Sequence, residues 1–524
     1  MTRRATLRGD ERTPLDERAD VLICGASFAG LAVARELAGS GADVLVIDRY
    51  EIGERQTSAC AIPTPWLEPM GIRRAARQEL ACMSFHTPHG TARHRLPWSW
   101  TSFDYRALCE ELWEQCDARF EVAKVEGRQG DTVITDRGPL RAPLIVDALG
   151  WRRVLGPGDN VQPPEARISR GLEVHPEGGG VDLDVWIDRS LIRRGYAWSV
   201  PAEGEQRVGV GSYEPRDHVK EPTREIAARV GVPPVRYQGN WFPHQLRPAV
   251  EDGVFFVGDS AGHCFPLSGE GIRTAFYFGI ACGRELRAVL AGERTREAAL
   301  AAYGAFSRRH ARAFTWALAL QRAIPALPPR LLARLLALVG RRRLSERAYG
   351  WYLRQADPAF AAGPARPLPA APIVTPRLRL EPLTQEHVRS FLAGDYGSVV
   401  TGDGWPQPDT ADGLRMAAAD PGARLWLVTL DGVVIGDCGT HGAPEATGDV
   451  EIGYGLAAPY RGQGYGAEVV TALTGWLRAQ HAVGRVVARE VDAANVPSRR
   501  CLERAGFRLE RDDGALVSYA TARS

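Results

Sequence analysis

A proline- and alanine-rich segment divides this 524-residue chain into two parts of unequal length. Residues 356–376 read ADPAFAAGPARPLPAAPIVTP and contain six prolines and seven alanines. Proline at this density removes backbone donors and blocks helix continuation, which favours an extended, semi-rigid spacer. Regular apolar periodicity resumes after it. We therefore predict a flexible tail over residues 1–19, a first domain over 20–355, a linker over 356–372 and a second domain over 373–524.

Composition predicts a cytoplasmic globular protein that does not bind nucleic acid. Apolar residues make up 44% of the chain, charged residues 24%, and the net charge is +2, all typical of soluble proteins. The nine cysteines are dispersed, without a CxxC pair or a Cys/His cluster, which fits a reducing compartment and predicts no metal site. The N-terminus has no apolar signal core. No run reaches the roughly 18 apolar residues of a membrane-spanning helix.

The end of the first domain, residues 308–354, is strongly basic. It holds eleven arginines and a single acid, Glu346, together with apolar stretches such as LLARLLALV that predict helices. Such helices either pack their apolar face on the first domain with the arginines in solvent, or contact a membrane surface or an acidic partner. The sequence leaves both alternatives open.

The first domain begins with a strand, a glycine-rich turn, a helix, a second strand and an acid. The apolar run DVLIC is typical of a buried parallel strand, and GASFAG follows it. In such a unit the turn and the helix N-terminus face a pyrophosphate, while the acid accepts from a ribose hydroxyl. The usual middle glycine is replaced by serine. The predicted nucleotide-binding residues are Gly25, Ser27, Gly30 and Asp48.

A second motif lies far along the chain, over residues 253–279. It reads GVFFVGDSAGHCFPLSGEGIRTAFYFG and resembles the strand-Gly-Asp motif of flavoproteins with a glutathione-reductase-type FAD fold. In these proteins the Asp binds the ribityl chain, and the next helix N-terminus faces the pyrophosphate and flavin. The resemblance implies FAD in an α/β, Rossmann-like domain with an inserted antiparallel substrate sheet. The implied cofactor contacts are Gly258, Asp259, Gly269, Gly271 and, in the stretch SFDYRALCEEL, Arg106.

The segment GYAWSVPAEGEQRVGVG indicates the branch of flavoproteins. It is similar to the YxWxFP…GxG signature of the geranylgeranyl reductase family, with Val200 in place of the phenylalanine. In that family the segment lines the substrate cavity, which makes Tyr196 and Trp198 candidate substrate-binding residues. The alternative is aromatic packing between two strands, since both rings fall on one face. Leu149 replaces the acid expected in aromatic hydroxylases, which argues against that branch.

The resemblance implies that reduced flavin donates hydride to a carbon–carbon double bond of an apolar, isoprenoid-like or secondary-metabolite substrate, and that a proton reaches the other carbon. Candidate proton donors are His263, Cys264 and Cys60, each of which could instead be a core residue. No second Rossmann fingerprint is found, so an external donor, NADPH or a redox protein, is expected. An FAD-dependent monooxygenase is the main alternative, and a halogenase ranks below it.

The second domain contains a hairpin, LWLVTLDGVVIGDCGTHG, followed by VEIGYGLAAPYRGQGYGAEVVTALTGWL. The RGQGYG loop at a helix N-terminus is a natural pyrophosphate cradle. It matches the motif of the GNAT acetyltransferases, an α+β fold. The later stretch DAANVPSRRCLERAGF is similar to the ribosomal-protein-type N-acetyltransferases. The resemblance implies binding of acetyl-CoA or another acyl-CoA.

That resemblance also assigns roles to individual residues. The cofactor contacts it implies are Arg461, Gln463, Gly464, Gly466 and Asn495. Ser498 takes the position of the group that protonates the departing thiolate. Glu451 is the candidate general base, since an amine must lose a proton before it attacks, and the alternative is a solvated strand residue. We expect a bifunctional enzyme, or an oxidoreductase whose second domain only binds CoA.

Overall fold

The protein is described by a computed structural model over residues 13–56, 58–157, 168–361, 371–420, 422–445, 448–480 and 483–522. Most of the predicted N-terminal tail, and the linker residues 362–370, lie outside these residues. The chain divides into two compact units, Met1–Ala361 and Ala362–Ser524. No helix in the described part of the chain is both long and apolar enough to cross a membrane.

The N-terminal unit combines parallel and antiparallel strands. In chain order they are β1 Glu17–Arg18, β2 Val21–Cys24, β3 Val44–Asp48, β4 Ala61–Pro63, β5 Ala76–Thr87, β6 Gly90–Phe103, β7 Arg119–Val122, β8 Val125–Gln129, β9 Thr132–Thr135, β10 Gly138–Arg141, β11 Leu144–Asp147, β12 Ile168–Val174, β13 Leu183–Trp186, β14 Gly195–Pro201, β15 Gln206–Ser212, β16 Gln238–Pro243, β17 Val250–Glu251 and β18 Val254–Phe256.

Helices connect these strands and close the unit. They are α1 Phe28–Leu37, α2 Leu67–Met70, α3 Tyr105–Trp113, α4 Lys220–Arg229, α5 Ile272–Leu290, α6 Arg296–Arg309, α7 Ala311–Ala323, α8 Pro329–Val339 and α9 Arg342–Leu353. Short 3₁₀ turns lie at Thr64–Trp66, Gly258–Ala261, Ile324–Ala326, Arg354–Ala356 and Pro358–Phe360.

The first layer is a six-stranded sheet in the order β17-β18-β11-β2-β3-β7, parallel except for β17. Strand β2 is buried along its whole length, as expected for a parallel strand that is covered on both faces. Helix α1 connects β2 to β3, which brings the glycine-rich turn to the carboxyl edge of the sheet. A smaller sheet, β1-β10-β9-β8, lies apart from this layer.

The second layer is an eight-stranded sheet in the order β16-β12-β15-β14-β13-β5-β6-β4. Its neighbours are antiparallel except for β13 and β5, which run parallel. The two layers together confirm the predicted fold class, a Rossmann-like domain with an inserted antiparallel sheet.

Helix α5 packs against α1 at very short range. A Cβ atom on Gly279 would lie 2.8 Å from the carbonyl oxygen of Ala29, and one on Gly283 would lie 2.4 Å from Cβ of Glu36. Only glycine permits this approach. It sets the N-terminus of α5 beside the turn that precedes α1, although the two are far apart in sequence.

The C-terminal unit is an eight-stranded sheet with helices, in the strand order β19-β20-β21-β22-β23-β24-β26-β25. Its strands are β19 Ile373–Val374, β20 Arg379–Pro382, β21 Arg424–Leu430, β22 Val433–Thr440, β23 Asp449–Leu456, β24 Arg485–Asp492, β25 Arg508–Asp512 and β26 Leu516–Ala520. Its helices are α10 Gln385–Leu392, α11 Pro408–Ala419, α12 Tyr465–Arg478 and α13 Val496–Arg504, with a 3₁₀ turn at Ala458–Tyr460.

Two central strands of this sheet diverge. The parallel strands β23 and β24 pair only where Asp449–Glu451 meets Arg485–Val487, yet both strands continue for five further residues. Among these described residues the gap opens directly after Glu451. A splayed pair of this kind leaves backbone groups available to a ligand.

Cleavage between Ala361 and Pro372 should release two fragments that stay folded. Each unit has its own buried cluster, centred on β2 and α5 in one and on Trp426 and Tyr519 in the other. Limited proteolysis followed by thermal unfolding of each fragment tests this expectation. Aggregation of both fragments, under conditions that keep the intact chain in solution, would contradict it.

Candidate active sites

A cavity of about 1510 Å³ lies between the two layers of the N-terminal unit. Pockets for small molecules usually measure roughly 300–1,000 Å³, so this cavity has room for a dinucleotide and a substrate together. One end is formed by the turn before α1, the end of β3 and the residues that precede α5. The other end is formed by the antiparallel sheet and by helices α7, α8 and α9.

Two glycines determine the shape of the turn between β2 and α1. Gly25 has a φ of +114°, and a Cβ atom on it would lie 2.4 Å from the carbonyl oxygen of Ala148. A Cβ atom on Gly30 would lie 1.8 Å from the carbonyl oxygen of Gly25. Helix α1 therefore begins directly at the cavity wall, where its N-terminal N–H groups suit a phosphate. This is the cradle that a dinucleotide requires.

Asp48, at the end of β3, lines the same end of the cavity. Its carboxylate oxygens accept hydrogen bonds from the N–H groups of Ala26 at 2.9 Å and Tyr50 at 3.0 Å. Each oxygen keeps a second acceptor position for a ribose hydroxyl. The Ser27 hydroxyl does not cap α1 and lies 3.1 Å from the hydroxyl of Tyr105, and both residues are part of the cavity wall.

Asp259 enters the cavity from the 3₁₀ turn Gly258–Ala261. Burial raises the pKa of Asp259 to about 7, against the opposing charge of Arg247. A Cβ atom on Gly271 would lie 3.8 Å from Oδ1 of Asp259, so the N-terminus of α5 lies directly beside this acid. A carboxyl group here suits a chain of hydroxyl groups such as ribityl, because it can both accept and donate a hydrogen bond.

Gly269, like Gly271, belongs to the cavity wall. Its φ is +66°, and a Cβ atom on it would lie 3.1 Å from the hydroxyl oxygen of Tyr196. The glycines before α5 thus let the loop run close to the aromatic residues of β14. The two sequence motifs, more than 200 residues apart, converge on one site.

Arg106 does not reach this site with its side chain. Its guanidinium is exposed and pairs with Glu110 one turn along α3, with 2.7 Å between Nε and Oε1. Among the described residues Arg106 is not part of the cavity wall, although its backbone and its Cγ atom pack against Gly53, which is a wall residue. The expected contact between the Arg106 side chain and FAD is therefore not supported, because the ion pair turns it outward.

Tyr196 and Trp198 lie on one face of β14, in the cavity wall. Their ring centroids are 5.8 Å apart. The GxG part of the signature has a physical explanation on the neighbouring strand β15. A Cβ atom would lie 2.4 Å from the Trp198 ring if placed on Gly209 and 3.3 Å if placed on Gly211. These glycines leave the space that the indole fills.

The wall around these two rings is largely apolar. It is formed by side chains from β5, β6, β13 and helices α7 and α8, namely Met83, Phe85, Leu96, Trp100, Leu183, Val185, Leu320, Leu332, Leu335, Leu336 and Val339. A wall of this composition favours a hydrocarbon chain over a charged substrate.

The candidate thiols line the cavity, but they are weak acids there. Burial raises the pKa of both Cys60 and Cys264. Cys60 adopts the left-handed conformation with φ of +53°, and its Sγ donates to the carbonyl oxygen of Ser58 at 3.1 Å. A thiol with a raised pKa gives up its proton reluctantly. Neither cysteine is well suited to protonating a substrate.

His263 points away from the cavity. Its ring stacks on Phe278 with 3.7 Å between centroids, and its Nε2 lies 3.1 Å from the hydroxyl oxygen of Ser307. Burial holds its pKa well below the usual range, so the imidazole is neutral. The expectation that His263 protonates a substrate is therefore not supported, because its neighbour Cys264 takes the position at the wall.

A buried chain of alternating charges lies behind Trp198, and the sequence analysis did not identify it. Oε2 of Glu173, a wall residue, accepts from Nε1 of Trp198 at 3.1 Å. Its other oxygen lies 2.9 Å from Nε2 of His175. The second nitrogen of His175 lies 3.5 Å from Glu205, which pairs with Arg207 at 2.9 Å. The antiparallel pairing of β12 with β15 brings these charged residues together.

These carboxylate contacts favour the protonated form of His175, whose Nε2 also lies 2.5 Å from the amide nitrogen of Gln238. Both ring nitrogens face carboxylates, and only the imidazolium donates from both. Burial lowers the pKa of His175, but the hydrogen bonds and charges of Glu173 and Glu205 outweigh burial, so its pKa is raised overall. Burial likewise opposes ionisation of Glu205, yet His175 and Arg207 hold its pKa at about 2. The two glutamates therefore favour a proton on His175, next to the apolar cavity.

A second buried pair holds the loop before α5. The guanidinium of Arg273 binds both carboxylate oxygens of Glu270, at 2.8 and 2.9 Å. It also donates to the carbonyl oxygens of Leu353 at 2.8 Å and Ala356 at 3.1 Å, and the hydroxyl of Tyr352 donates to Glu270. The end of α9 is thereby fastened to the loop that carries Gly269 and Gly271.

The segment with Leu149 in place of an acid is held from behind by Asp147. The carboxylate of Asp147 accepts from the Ser260 hydroxyl at 2.6 Å and from the N–H groups of Leu149 at 3.0 Å and Leu155 at 2.8 Å. Burial raises the pKa of Asp147, which these donors oppose. Asp147 thus organises the cavity wall and does not face the cavity.

In the C-terminal unit the predicted pyrophosphate loop precedes α12. Gly462 and Gly464 have φ of +75° and +85°, and Gly464 is the N-cap of the helix. The side chains of the loop face outward: Arg461 donates to the carbonyl of Leu456 at 2.7 Å, and Gln463 to that of Pro459 at 3.1 Å. The backbone N–H groups of the loop and of the first turn of α12 suit a phosphate.

Close packing fixes where this loop lies. A Cβ atom on Gly466 would lie 3.2 Å from Sγ of Cys501, which brings α12 against α13. Arg377, which the sequence analysis did not identify, donates to the carbonyl of Gln463 at 3.1 Å and lies over the Tyr465 ring. Its guanidinium also pairs with Glu468 of α12 at 2.6 Å, so Arg377 fastens the loop to the helix beside the phosphate cradle.

Glu451 lies at the last paired position before β23 and β24 diverge. Its carboxylate lies 3.3 Å from Nδ1 of His441 and 3.4 Å from Arg489. The hydrogen bond to His441 and the nearby charges hold the pKa of Glu451 below its usual value, although burial opposes them. A carboxylate of this kind is a weak base and suits the orientation of a better one.

His441 is a second candidate base beside Glu451, and the sequence analysis did not identify it. It follows β22 directly and pairs with β23, its N–H donating to the carbonyl of Glu451 at 3.0 Å. A Cβ atom on Gly453 would lie 2.7 Å from Nε2 of His441. The missing side chain at Gly453 thus makes room for the imidazole beside the gap between the strands. The only available signal was cross-strand register.

Ser498, on α13, contacts Tyr454 in the part of β23 that diverges from β24. Its hydroxyl oxygen is 2.8 Å from that of Tyr454, and burial raises the pKa of Tyr454 to about 12. Tyr454 therefore carries its proton at neutral pH. Asn495 caps α13, its Oδ1 accepting from the N–H of Ser498 at 3.1 Å, which positions the serine.

Comparison with known proteins finds relatives of both units. Residues 377–508 match the family model of the acetyltransferase (GNAT) domain. Digeranylgeranylglycerophospholipid reductase 2 of Methanopyrus kandleri is 26% identical over 317 residues, which are 53% of this chain and 77% of that protein.

Two solved structures share the fold of the N-terminal unit. A geranylgeranyl bacteriochlorophyll reductase-like protein of Thermoplasma acidophilum has a TM-score of 0.57 at 17% identity, over 66% of this chain and 98% of that one. A substituted form of PqsL from P. aeruginosa has a TM-score of 0.50 at 18% identity, over 62% and 99%. The matches confirm the resemblance to geranylgeranyl reductase-like FAD proteins and the GNAT domain. They indicate an enzyme, an FAD-dependent oxidoreductase fused to an acetyltransferase domain.

Gly30→Ala should abolish FAD binding, because its Cβ would overlap the carbonyl of Gly25 and push α1 away from β2. The measurement is flavin absorbance that remains with the protein after gel filtration. Gly127→Ala is the matched control, since no atom lies within 4 Å of a Cβ there. A Gly30→Ala protein that keeps full flavin content would show that the turn is not the cradle.

Proposed function

We propose that the protein is a bifunctional enzyme, which reduces a carbon–carbon double bond in an apolar substrate with FAD and transfers an acetyl group from acetyl-CoA to an amine. The observation that carries the first activity is the cavity itself. Its polar end suits a dinucleotide, and its apolar end suits a hydrocarbon chain. The name of the Methanopyrus kandleri relative, a digeranylgeranylglycerophospholipid reductase, supports an isoprenoid-like substrate.

The protein's residues position this reaction and exclude water from it. FAD, when bound and reduced, supplies a hydride for one carbon of the double bond. Tyr196 and Trp198 hold the hydrocarbon chain, while the turn before α1 and the N-terminus of α5 hold the cofactor. Two electrons per turnover come from an external donor, NADPH or a redox protein.

The second carbon needs a proton, which we assign to Glu173 and His175. Glu173 is the ionisable residue bonded to Trp198, and the protonated His175 lies directly behind it. His175 passes a proton to Glu173, and Glu173 delivers it to the substrate. Glu205, which pairs with the exposed Arg236 at 3.6 Å, connects this chain to solvent for reprotonation.

Glu173→Gln should slow the reduction by roughly 100-fold or more, the usual size of general acid catalysis. Glutamine still accepts a hydrogen bond from Trp198, so FAD content and folding should be preserved. The measurement is the rate at which a polyprenyl lipid reoxidises the photoreduced protein without oxygen. An unchanged rate would mean that the proton has another source.

The same experiment has a pH dependence whose sign follows from His175. The raised pKa of His175 keeps it protonated at low pH, so the proton supply is intact there and is lost as pH rises through that pKa. We expect the wild-type rate to fall with rising pH and the Glu173→Gln rate to be flat. A wild-type rate that rises with pH would contradict the assignment.

A monooxygenase is the second candidate, and the fold shared with PqsL allows it. Leu149 and the apolar wall favour reduction. Reaction under oxygen-18 gas distinguishes the reductase from the monooxygenase. We expect a product that gains two hydrogens and no oxygen-18, and an oxygenated product would overturn the reductase assignment.

For the second activity we assign the base to His441 and the acid to Tyr454. Nε2 of His441 removes the amine proton, and Glu451 orients the imidazole through Nδ1. The amine nitrogen then bonds to the thioester carbonyl carbon, the carbon–sulfur bond breaks, and the thiolate takes the proton of Tyr454, which Ser498 positions.

His441→Gln should lower kcat for acetyl transfer roughly 100-fold, while the KM for acetyl-CoA changes little, because the cradle before α12 is untouched. His387→Gln is the matched control, since His387 completes the capping box of α10 and glutamine is a common residue at that position. A panel of amines provides the acceptor. If acetyl-CoA binds by calorimetry but no amine is acetylated, the unit only binds CoA.

A further inference from the structure

Helix α8 carries a stripe of leucines that face solvent. Leu331, Leu335 and Leu338 are 43%, 39% and 41% exposed. Their spacing of four and three residues places them on one side of the helix. Leu332, next to the stripe, is buried, so α8 is a helix with one apolar face inward and a second apolar face outward.

The stripe continues on the neighbouring helices. Trp316 is 67% exposed on α7, and Leu320, Leu344 and Trp351 are exposed as well. Seven of the sixteen large exposed apolar residues in the described chain lie between residues 316 and 351. The others are scattered, as is normal for a protein surface. We call residues 311–353, helices α7 to α9, the basic apolar face.

Positive charge surrounds this stripe. Between residues 308 and 354 the chain has eleven arginines and one acid, and that acid, Glu346, pairs with Arg342 at 3.1 Å. Arg330, Arg334 and Arg343 are exposed, and within the described residues no ion pair is found for them. Apolar side chains flanked by unpaired arginines are typical of helices that lie in an anionic lipid surface.

The basic apolar face is continuous with the cavity. Leu320, Leu335 and Trp351 are exposed, and all three also line the cavity. An apolar substrate that leaves a bilayer at this face would reach the cavity without crossing water.

We propose that the basic apolar face docks the protein on an anionic lipid bilayer, from which an apolar substrate enters the cavity directly. This inference rests on the proposed apolar substrate of the first activity. A second copy of the chain is a poor occupant, because it would bring eleven further arginines against the first set. An anionic bilayer supplies the missing negative charge and the apolar interior together.

Co-sedimentation of the full chain with vesicles tests the proposal. We expect binding to phosphatidylglycerol vesicles, at least tenfold weaker binding at 1 M salt because of screening, and little binding to phosphatidylcholine vesicles. The double variant Leu331→Gln/Leu338→Gln should lose at least tenfold in vesicle affinity. Neither residue lines the cavity, so its FAD content and its activity on detergent-dispersed substrate should remain.

Leu509→Gln, at an equally exposed leucine of the C-terminal unit, is the matched control and should bind vesicles normally. Equal affinity of the double variant and the wild type would overturn the proposal. So would a concentration-dependent dimer, without vesicle binding, that the double variant abolishes. If the wild-type protein reduces the dispersed substrate but does not bind vesicles, the docking proposal is overturned and the proposed function stands. If it binds vesicles through this face but reduces no double bond, docking stands and the proposed function fails.

Discussion

A buried arginine holds the N-terminal unit together where cofactor and substrate would meet. The Arg273 side chain has no exposure. Its partners come from two segments some 80 residues apart, Glu270 in one and the carbonyl oxygens of Tyr352, Leu353 and Ala356 in the other. A buried charge that loses one partner costs roughly 3–5 kcal/mol. The end of α9 is therefore fixed to the loop before α5. This contact joins the apolar end of the cavity to its polar end.

The two units use glycine alike and charge differently. In both, glycines shape the turn before a helix N-terminus that suits a phosphate, at Gly25 and Gly30 in one and at Gly462 and Gly464 in the other. The charges near the N-terminal cavity are buried and alternate in sign, which favours a proton beside an apolar wall. In the other unit His441 is exposed and Glu451 is partly buried, so the proposed acetyl transfer would take place near water and the proposed reduction away from it.

The features of each site that consecutive residues determine could be predicted from the sequence, and those that depend on pairing between distant strands could not. A glycine turn and its phosphate are set by consecutive residues, so the turn before α1 and the loop before α12 could be predicted from the sequence. The pairing of His441 with Glu451 depends on strand register, and the chain from Glu173 to Arg207 on the pairing of β12 with β15. His263 shows the remaining limit, because a motif predicts a loop but not which of two adjacent side chains faces inward.

The contacts of Arg273 also order events during synthesis. The central parallel sheet is incomplete until β18 pairs with β11. The Arg273 hydrogen bonds that hold the loop before α5 form only after Leu353 and Ala356 have been synthesised. These are among the last residues before the linker. A ribosome must therefore have released nearly the whole N-terminal unit before its cavity reaches final form. The C-terminal unit draws its core from later residues alone, so the nascent chain completes the two units one after the other, with the linker between them.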